Sequence, residues 1–392
     1  MLRDLAGRAA DYGLSRRAFL GLLGAAGGSA ALSACGTSGP DSIRVSGGKK
    51  GVLRWASWPD YIDVSDKDAS DHPTIDEFEK KTGINVLYYD KITDSDVFYG
   101  TVRGELANAQ DIGYDLTVQS SRMVGTWIEL GYAHELDRTK MPNTKNLIKS
   151  LDDPNLTSKG TYSMPWQGGF TVLAWNKSKV EKMTSVSELW SNKDLHGKVE
   201  VFTEFSYALP LIMWEQGVDP SSNWGDDEFN NALDVIKTNV SNGQIRKVAG
   251  NDYLDDLDHG DAWAVIGWSG DISQLNVEAG EEKYGICVPD AGGQVWSDSM
   301  VAPYTSNQMD SVEKLINFYY DPAVAAQVSA TVGYICPVEG TQAAIEKINP
   351  DLAKNEWIFP TDDLLKKTSF LRWVSTADYQ KYTNEFLDAT SQ

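Results

Sequence analysis

Trp296-Ser297-Asp298 is the stretch of this 392-residue chain where residue types and spacing point most directly to chemistry. Side chains alternate along an extended segment, so Trp296 and Asp298 face one way and Ser297 the other. A single cation can then lie over the indole face and against the carboxylate at once. The ring contact is worth roughly 0.5–2 kcal/mol, rising as water is excluded, and the carboxylate adds a charge-assisted hydrogen bond. The usual machinery of bond-making is missing. His72, His134, His196 and His259 stand singly, without metal-ligand spacing. There is no GxSxG, no Cys/His arrangement and no phosphate loop. Glu204 and Asp298 are the acids that glycoside hydrolysis would need, which keeps an exported glycan-active enzyme as a contrasting reading. Binding accounts for the Trp and Tyr residues without turnover. The chain therefore reads as no enzyme, with no cofactor and no metal.

The elements that must position these residues alternate short apolar runs with helical patterns, which predicts an α/β fold. Residues 52–56 read as a strand whose end leads into Ser57-Trp58-Pro59-Asp60-Tyr61. Thr74-Ile75-Asp76-Glu77 reads as a capping box and Gly83 as the stop of the helix it opens. Residues 84–89 and 114–118 read as the next strands, with Ser120-Ser121-Arg122 at the carboxyl end of the latter. A second unit follows, with strands over 171–175, 198–202 and 262–268. The last two run into Thr203-Glu204 and Ser269-Gly270-Asp271. Helices are predicted over 229–238, 312–320, 323–332 and 378–390. In open α/β sheets ligands bind at the carboxyl ends of strands, and the Trp58 and Ser120 loops occupy that kind of position. Most of the 13 tryptophans read as core, Trp55, Trp127, Trp175 and Trp190 among them.

Residues 1–34 read as an export signal. Ser15-Arg16-Arg17-Ala18-Phe19-Leu20 is a twin-arginine signature, and the apolar stretch 18–32 is shorter than the roughly 20 residues a membrane span needs. Leu32-Ser33-Ala34-Cys35 resembles a lipobox, which makes Cys35 the lipidated first residue of the exported chain. Residues 35–51 are rich in Gly, Ser and Lys and read as a flexible tether. Beyond it lie about 340 residues, more than one core usually holds, so two lobes are expected. The formal charge of −21 becomes −23 once the four arginines and two aspartates of the signal are removed. So acidic a body excludes nucleic acid and permits a cationic ligand without identifying one. Cys287 and Cys336 either pair or remain as two buried thiols.

The order Trp58-x-x-Tyr61, Phe78-Glu79-x-x-Thr82-Gly83-Ile84-x-Val86, Tyr114-Asp115-Leu116, Trp296-x-Asp298-Ser299, Leu315-Ile316-Asn317-Phe318 and Gly333-Tyr334 is similar to the periplasmic spermidine/putrescine-binding proteins. The resemblance runs from about residue 52 to the C-terminus. It implies a two-lobed periplasmic-binding-protein fold of the type II kind, with a ligand cleft between the lobes. Lobe 1 would take residues 52–170 and 295–345, and lobe 2 residues 171–294 and 346–392. It further implies a polyamine bound by Trp58, Tyr61, Ser120, Glu204, Trp268, Trp296, Asp298 and Tyr334. Asp60, Arg122, Tyr207 and Asp271 stand as rim positions, and Asp252 and Asp255 as more distant acids.

This chain departs from the family pattern at Pro59, Tyr207, Arg122 and Leu371, which makes the site less anionic. If Arg122 faces the cleft, the ligand is a shorter diamine or carries its own carboxylate. The function so implied is that of a monomeric, lipid-anchored receptor on the outer face of the cytoplasmic membrane, delivering a polyamine to an ABC permease. The alternative is a same-fold receptor for an opine, an amino-acid-like solute, a phosphonate or thiamine.

Overall fold

A computed structural model describes residues 51–391 apart from 66 and 69, so the signal, Cys35 and nearly all of the tether lie outside the described residues. β1 (Val52–Ser57) is followed by α1 (Pro73–Thr82), β2 (Asn85–Asp90), α2 (Ser95–Ala107), β3 (Leu116–Ser120) and α3 (Ser121–Glu129). The expected capping box at Thr74 does not form, because Pro73 opens the helix one residue earlier with His72 as N-cap. The buried carboxylate of Asp63 instead accepts from the Thr74 N–H at 3.0 Å, a cap supplied from a distant loop. Gly83 ends α1 in the left-handed conformation, φ 71°, where glycine carries no Cβ penalty.

β1 pairs in parallel with β2 and β3. Asp115, 1 % exposed, fastens this trio from the residue before β3. It accepts from Arg54 Nε and Nη2, both at 2.8 Å, and from the Arg54 backbone N–H at 3.0 Å. Tyr114-Asp115-Leu116 is thus a structural signature rather than part of the site.

β4 (Ser163–Asn176) is 14 residues long and buried after its first residue. The second unit then builds β5 (Val199–Phe202), α4 (Phe205–Glu215), α5 (Asp226–Ser241), β6 (Ile245–Ala249), α6 (Tyr253–His259), β7 (Ala264–Trp268), α7 (Ser269–Ala279) and β8 (Tyr284–Cys287). β9 (Gly293–Val301) returns the chain, followed by α8 (Met309–Tyr319), α9 (Pro322–Val332), the two-residue β10 (Thr368–Ser369) and α10 (Thr376–Thr390).

One sheet runs through both halves in the order β2-β1-β3-β9-β4-β7-β5-β6, with β10 on β9 and β8 on β4. β4 pairs antiparallel with β9 from Ser163↔Val301 to Thr171↔Gln294. It then exchanges β9 for β7 and β8 over its last residues. A bulge between Pro165 and Gln167 interrupts the ladder where proline lacks an N–H. Met164, Trp166 and Met300 belong to one core with Leu53, Trp55, Phe78 and Ile316. A second cluster holding Phe98, Met123 and Trp127 completes that half. Leu173, Ala174 and Trp175 belong to another core with Phe205, Phe229, Val265 and Phe386. β4 and β9 therefore carry the chain between two separately packed α/β lobes. Between the cores, Phe170, Val172, Val295, Ile335 and Phe370 form a small apolar cluster. Trp55, Trp127 and Trp175 are buried, and Trp190 packs half-buried on the second core.

Both described cysteines are free. The Cys287 thiol donates to the Met183 carbonyl at 3.3 Å, and burial pushes it up to about 12. Cys336 is buried beside Tyr319 and Thr341.

Candidate functional site

The carboxyl ends of β1 and β3 in one lobe, and of β5 and β7 in the other, deliver the candidate residues. Trp58, Asp60 and Tyr61 follow β1, and Ser120 ends β3. Arg122 lies in the first turn of α3. Glu204 is the N-cap of α4 with Tyr207 in its first turn, while Trp268 ends β7 with Asp271 in the first turn of α7. Trp296 and Asp298 lie on β9, and Tyr334 follows the Gly333 that ends α9.

The aromatic rings form a continuous wall across the two lobes. Tyr61 meets Tyr334 edge-on at 5.8 Å, Tyr334 meets Trp296 at 5.6 Å, and Trp296 meets Tyr207 at 6.4 Å. Tyr207 meets Trp268 at 5.6 Å, and Phe202 stacks behind Trp268 at 4.4 Å. Two glycines make the wall possible by their lack of a side chain. A Cβ on Gly169 of β4 would stand 2.4 Å from the Trp296 ring, and one on Gly270 would stand 2.6 Å from the Tyr334 ring. Trp166 donates its indole N–H to the Tyr61 carbonyl at 3.0 Å, tying the loop after β1 to the first core. Trp58 packs half-buried where the two clusters of the first lobe meet.

Carboxylates are set into this wall. Tyr61 donates its hydroxyl to Asp298 at 2.8 Å, and burial pushes Asp298 up to about 6 against the effect of that bond. Asp271 accepts from Tyr334 at 2.5 Å and from Tyr253 at 3.2 Å. Burial, reinforced by Asp298, holds Tyr61 well above its ordinary pKa, so it stays a neutral donor. Glu204 is open to solvent at its own surface but walled in on several sides. Desolvation pushes it up to about 7, with Asp94, Asp96 and Asp298 adding and Arg122 opposing. Arg122 makes an ion pair with Asp96 and lays its guanidinium 4.3 Å from the centre of the Tyr379 ring. Its pKa is raised: burial works against the charge, and Tyr379, Asp96 and Glu204 together outweigh it.

The structure thus brings Tyr61, Tyr207, Trp268, Asp271, Trp296, Asp298 and Tyr334 into one constellation. Tyr207 and Asp271, expected as rim positions, contact its members through the Trp268 and Trp296 rings and the Tyr334 hydroxyl. Ser120 lies opposite Asp298 in the β3–β9 register and donates to Ser95 Oγ at 3.1 Å. Asp60 is exposed, with φ 56°. Asp252 pairs with Lys247 on the second lobe, and Leu371 packs against the second core. Sequence reasoning missed Asp94, Asp96 and Tyr379. Asp94 is legible as a cap, its carboxylate accepting from Val97 N–H at 2.7 Å, but nothing local directs it toward Glu204. Among the described residues no group of three His, Cys, Asp or Glu is placed to hold a metal, and no helix is long and apolar enough to cross a membrane.

Two lobes joined by a pair of strands, with aromatic rings and acids facing between them, define a protein that encloses a small solute. The chain belongs to the bacterial extracellular solute-binding protein family, whose model matches residues 74–361. It is 27% identical over 342 residues to the putrescine-binding periplasmic protein PotF of Escherichia coli, covering 82% of this chain and 86% of that one. It is 24% identical over 339 residues to the spermidine/putrescine-binding periplasmic protein of the same organism, covering 84% and 90%. Among solved structures, the spermidine/putrescine ABC transporter substrate-binding protein PotD from Streptococcus pneumoniae superposes with a TM-score of 0.71. It is 20% identical, covering 87% of this chain and 99% of that one.

Proposed function

We propose that this protein is the receptor of an ABC importer for a small polyamine, captured between the lobes and handed to a membrane permease. One observation carries the reading. An unbroken aromatic wall spans both lobes and holds Asp298 and Asp271, each bonded by the hydroxyl of a tyrosine in that wall. A flexible methylene chain with ammonium ends needs aromatic faces for the methylenes and cations, and carboxylates to fix the spacing of its charges. The Tyr61 hydroxyl orients the Asp298 carboxylate without cancelling its charge. The putrescine- and spermidine-binding relatives support the same ligand class.

Capture works by hinge closure. The open form is favoured without solute, and a solute touching both lobes shifts the population to the closed one, bending at β4 and β9. The division into residues 52–170 with 295–345 and residues 171–294 with 346–392 is supported by the membership of the two main cores. Part of 346–370 lies along the junction instead, where Trp357, Leu364 and Phe370 join the cluster around Phe170. The receptor is a monomer, exported by the twin-arginine route and held at the outer face of the cytoplasmic membrane by lipid on Cys35. Mass spectrometry of the solute released from the purified full-length protein tests the ligand class. A diamine or polyamine is expected; an opine, a phosphonate or a sugar overturns it.

A further inference from the structure

Tyr253 opens α6 and is fully buried behind the aromatic wall, too enclosed to meet a solute itself. Its ring stands edge-on to Phe202 at 5.6 Å and to Trp268 at 6.2 Å. Gly267, the residue before Trp268 on β7, leaves the space it occupies. A Cβ there would come within 3.1 Å of the Tyr253 ring. The hydroxyl is used twice: it accepts from the Trp268 backbone N–H at 3.1 Å and donates to Asp271 at 3.2 Å. Burial, with Asp271 adding to it, holds the Tyr253 pKa well above its ordinary value, so the proton stays on the donor. The helix that carries it is fastened one turn further on. Asp256 accepts from Lys247 of β6 at 2.8 Å and pairs with Arg246 at 3.2 Å. Arg246 in turn pairs with the fully buried Glu200 of β5. α6 is thereby held against two strands of the second lobe.

We propose that Tyr253 is a positioning residue of the solute cleft, whose hydroxyl fixes Trp268 and Asp271 relative to each other so that solute affinity depends on a group no solute touches. This rests on the polyamine reading and deepens it. Trp268 ends β7 and is the N-cap of α7, and Asp271 lies in the first turn of that helix. One phenolic oxygen therefore ties the strand end to the helix start. Asp271 is reached from the other lobe as well, where Tyr334 donates to its second oxygen at 2.5 Å. A carboxylate bonded at both oxygens has its plane set before a solute arrives. An ammonium then meets the Trp268 ring and the acid already placed, and binding does not have to order them. Only a hydroxyl accepts and donates at a single atom. Phenylalanine at this position keeps the ring contacts and loses both bonds.

The test is calorimetric titration of putrescine into the full-length protein as wild type, Tyr253→Phe, Asp271→Ala and the double variant. Tyr253→Phe is expected to weaken putrescine binding about tenfold. The same change made on Asp271→Ala is expected to cost only about twofold, because residues that act as one unit do not add. Gly267→Ala crowds the same ring from β7 and is expected to weaken binding in the same direction; it serves as the second route if Tyr253→Phe does not fold. Unchanged affinity in Tyr253→Phe, or an equal fold-loss with and without Asp271, reduces Tyr253 to general packing. Either result overturns the inference and leaves the polyamine reading standing. Failure of wild type to bind putrescine overturns the polyamine reading, and this inference with it.

Discussion

Asp298, as the proposed ammonium seat, answers two opposed demands. On that proposal it is ionised when an ammonium binds, yet burial pushes its carboxyl up to about 6 and only the Tyr61 hydroxyl works the other way. A bound diammonium supplies the missing compensation, so binding expels protons from the site. Affinity is expected to rise as pH climbs from about 5 to 7 and then level off, as the carboxyl ionises. The same upward shift makes the ligand-free protein lose stability as pH rises from about 4 to about 6, where the folded state still holds a proton that the unfolded chain has released. Calorimetry in buffers of different ionisation enthalpy measures the protons directly, and a flat pH profile would contradict the assignment. The pairing of Trp296 with Asp298 is legible from alternation along one strand. The Asp96–Arg122–Tyr379 cluster is not, because its members come from three elements whose meeting depends on how the lobes pack.

At the scale of elements, Asp115 and Arg54 decide whether the first lobe presents its loops correctly. Both β1 and β3 end at the site, and the bidentate pair locks one to the other. Asp115→Ala leaves Arg54, 15 % exposed, with the exposed Asp111 as its one carboxylate partner among the described residues. The expected loss is about 3 kcal/mol, the low end for breaking a buried pair, read as a lowered denaturant midpoint. Many strands and helices are legible in the sequence to within a few residues, since their apolar periods are strong, but α2, β6, α6, α7 and β8 are not read from it. α4 escapes because Ala208 to Met213 are all buried, giving no stripe to detect, and Pro210 falls inside it. The first half of β4 escapes for a related reason, being buried on both faces and broken by Pro165. The Thr74 capping box is misread because a remote acid, Asp63, supplies the cap.

On the scale of the whole molecule, two cores are joined by β4 and β9, and the proposed closure at these strands would bring charged and aromatic groups from both lobes around one solute. The overall acidity of the chain favours approach of a cation, but the selection rests with a few buried groups. Two lobes are legible from length and from the repeat of the α/β pattern, whereas which strands cross between them emerges only from the ladder of β4 with β9 and then β7. The most direct test is calorimetric titration of putrescine into wild type and Asp298→Ala side by side. The account predicts saturable one-to-one binding to wild type, weakened by about 1.5–3 kcal/mol in the variant, the range for losing a hydrogen bond to a charged group. Equal affinity in the two proteins, or no binding to wild type at millimolar putrescine, would contradict it.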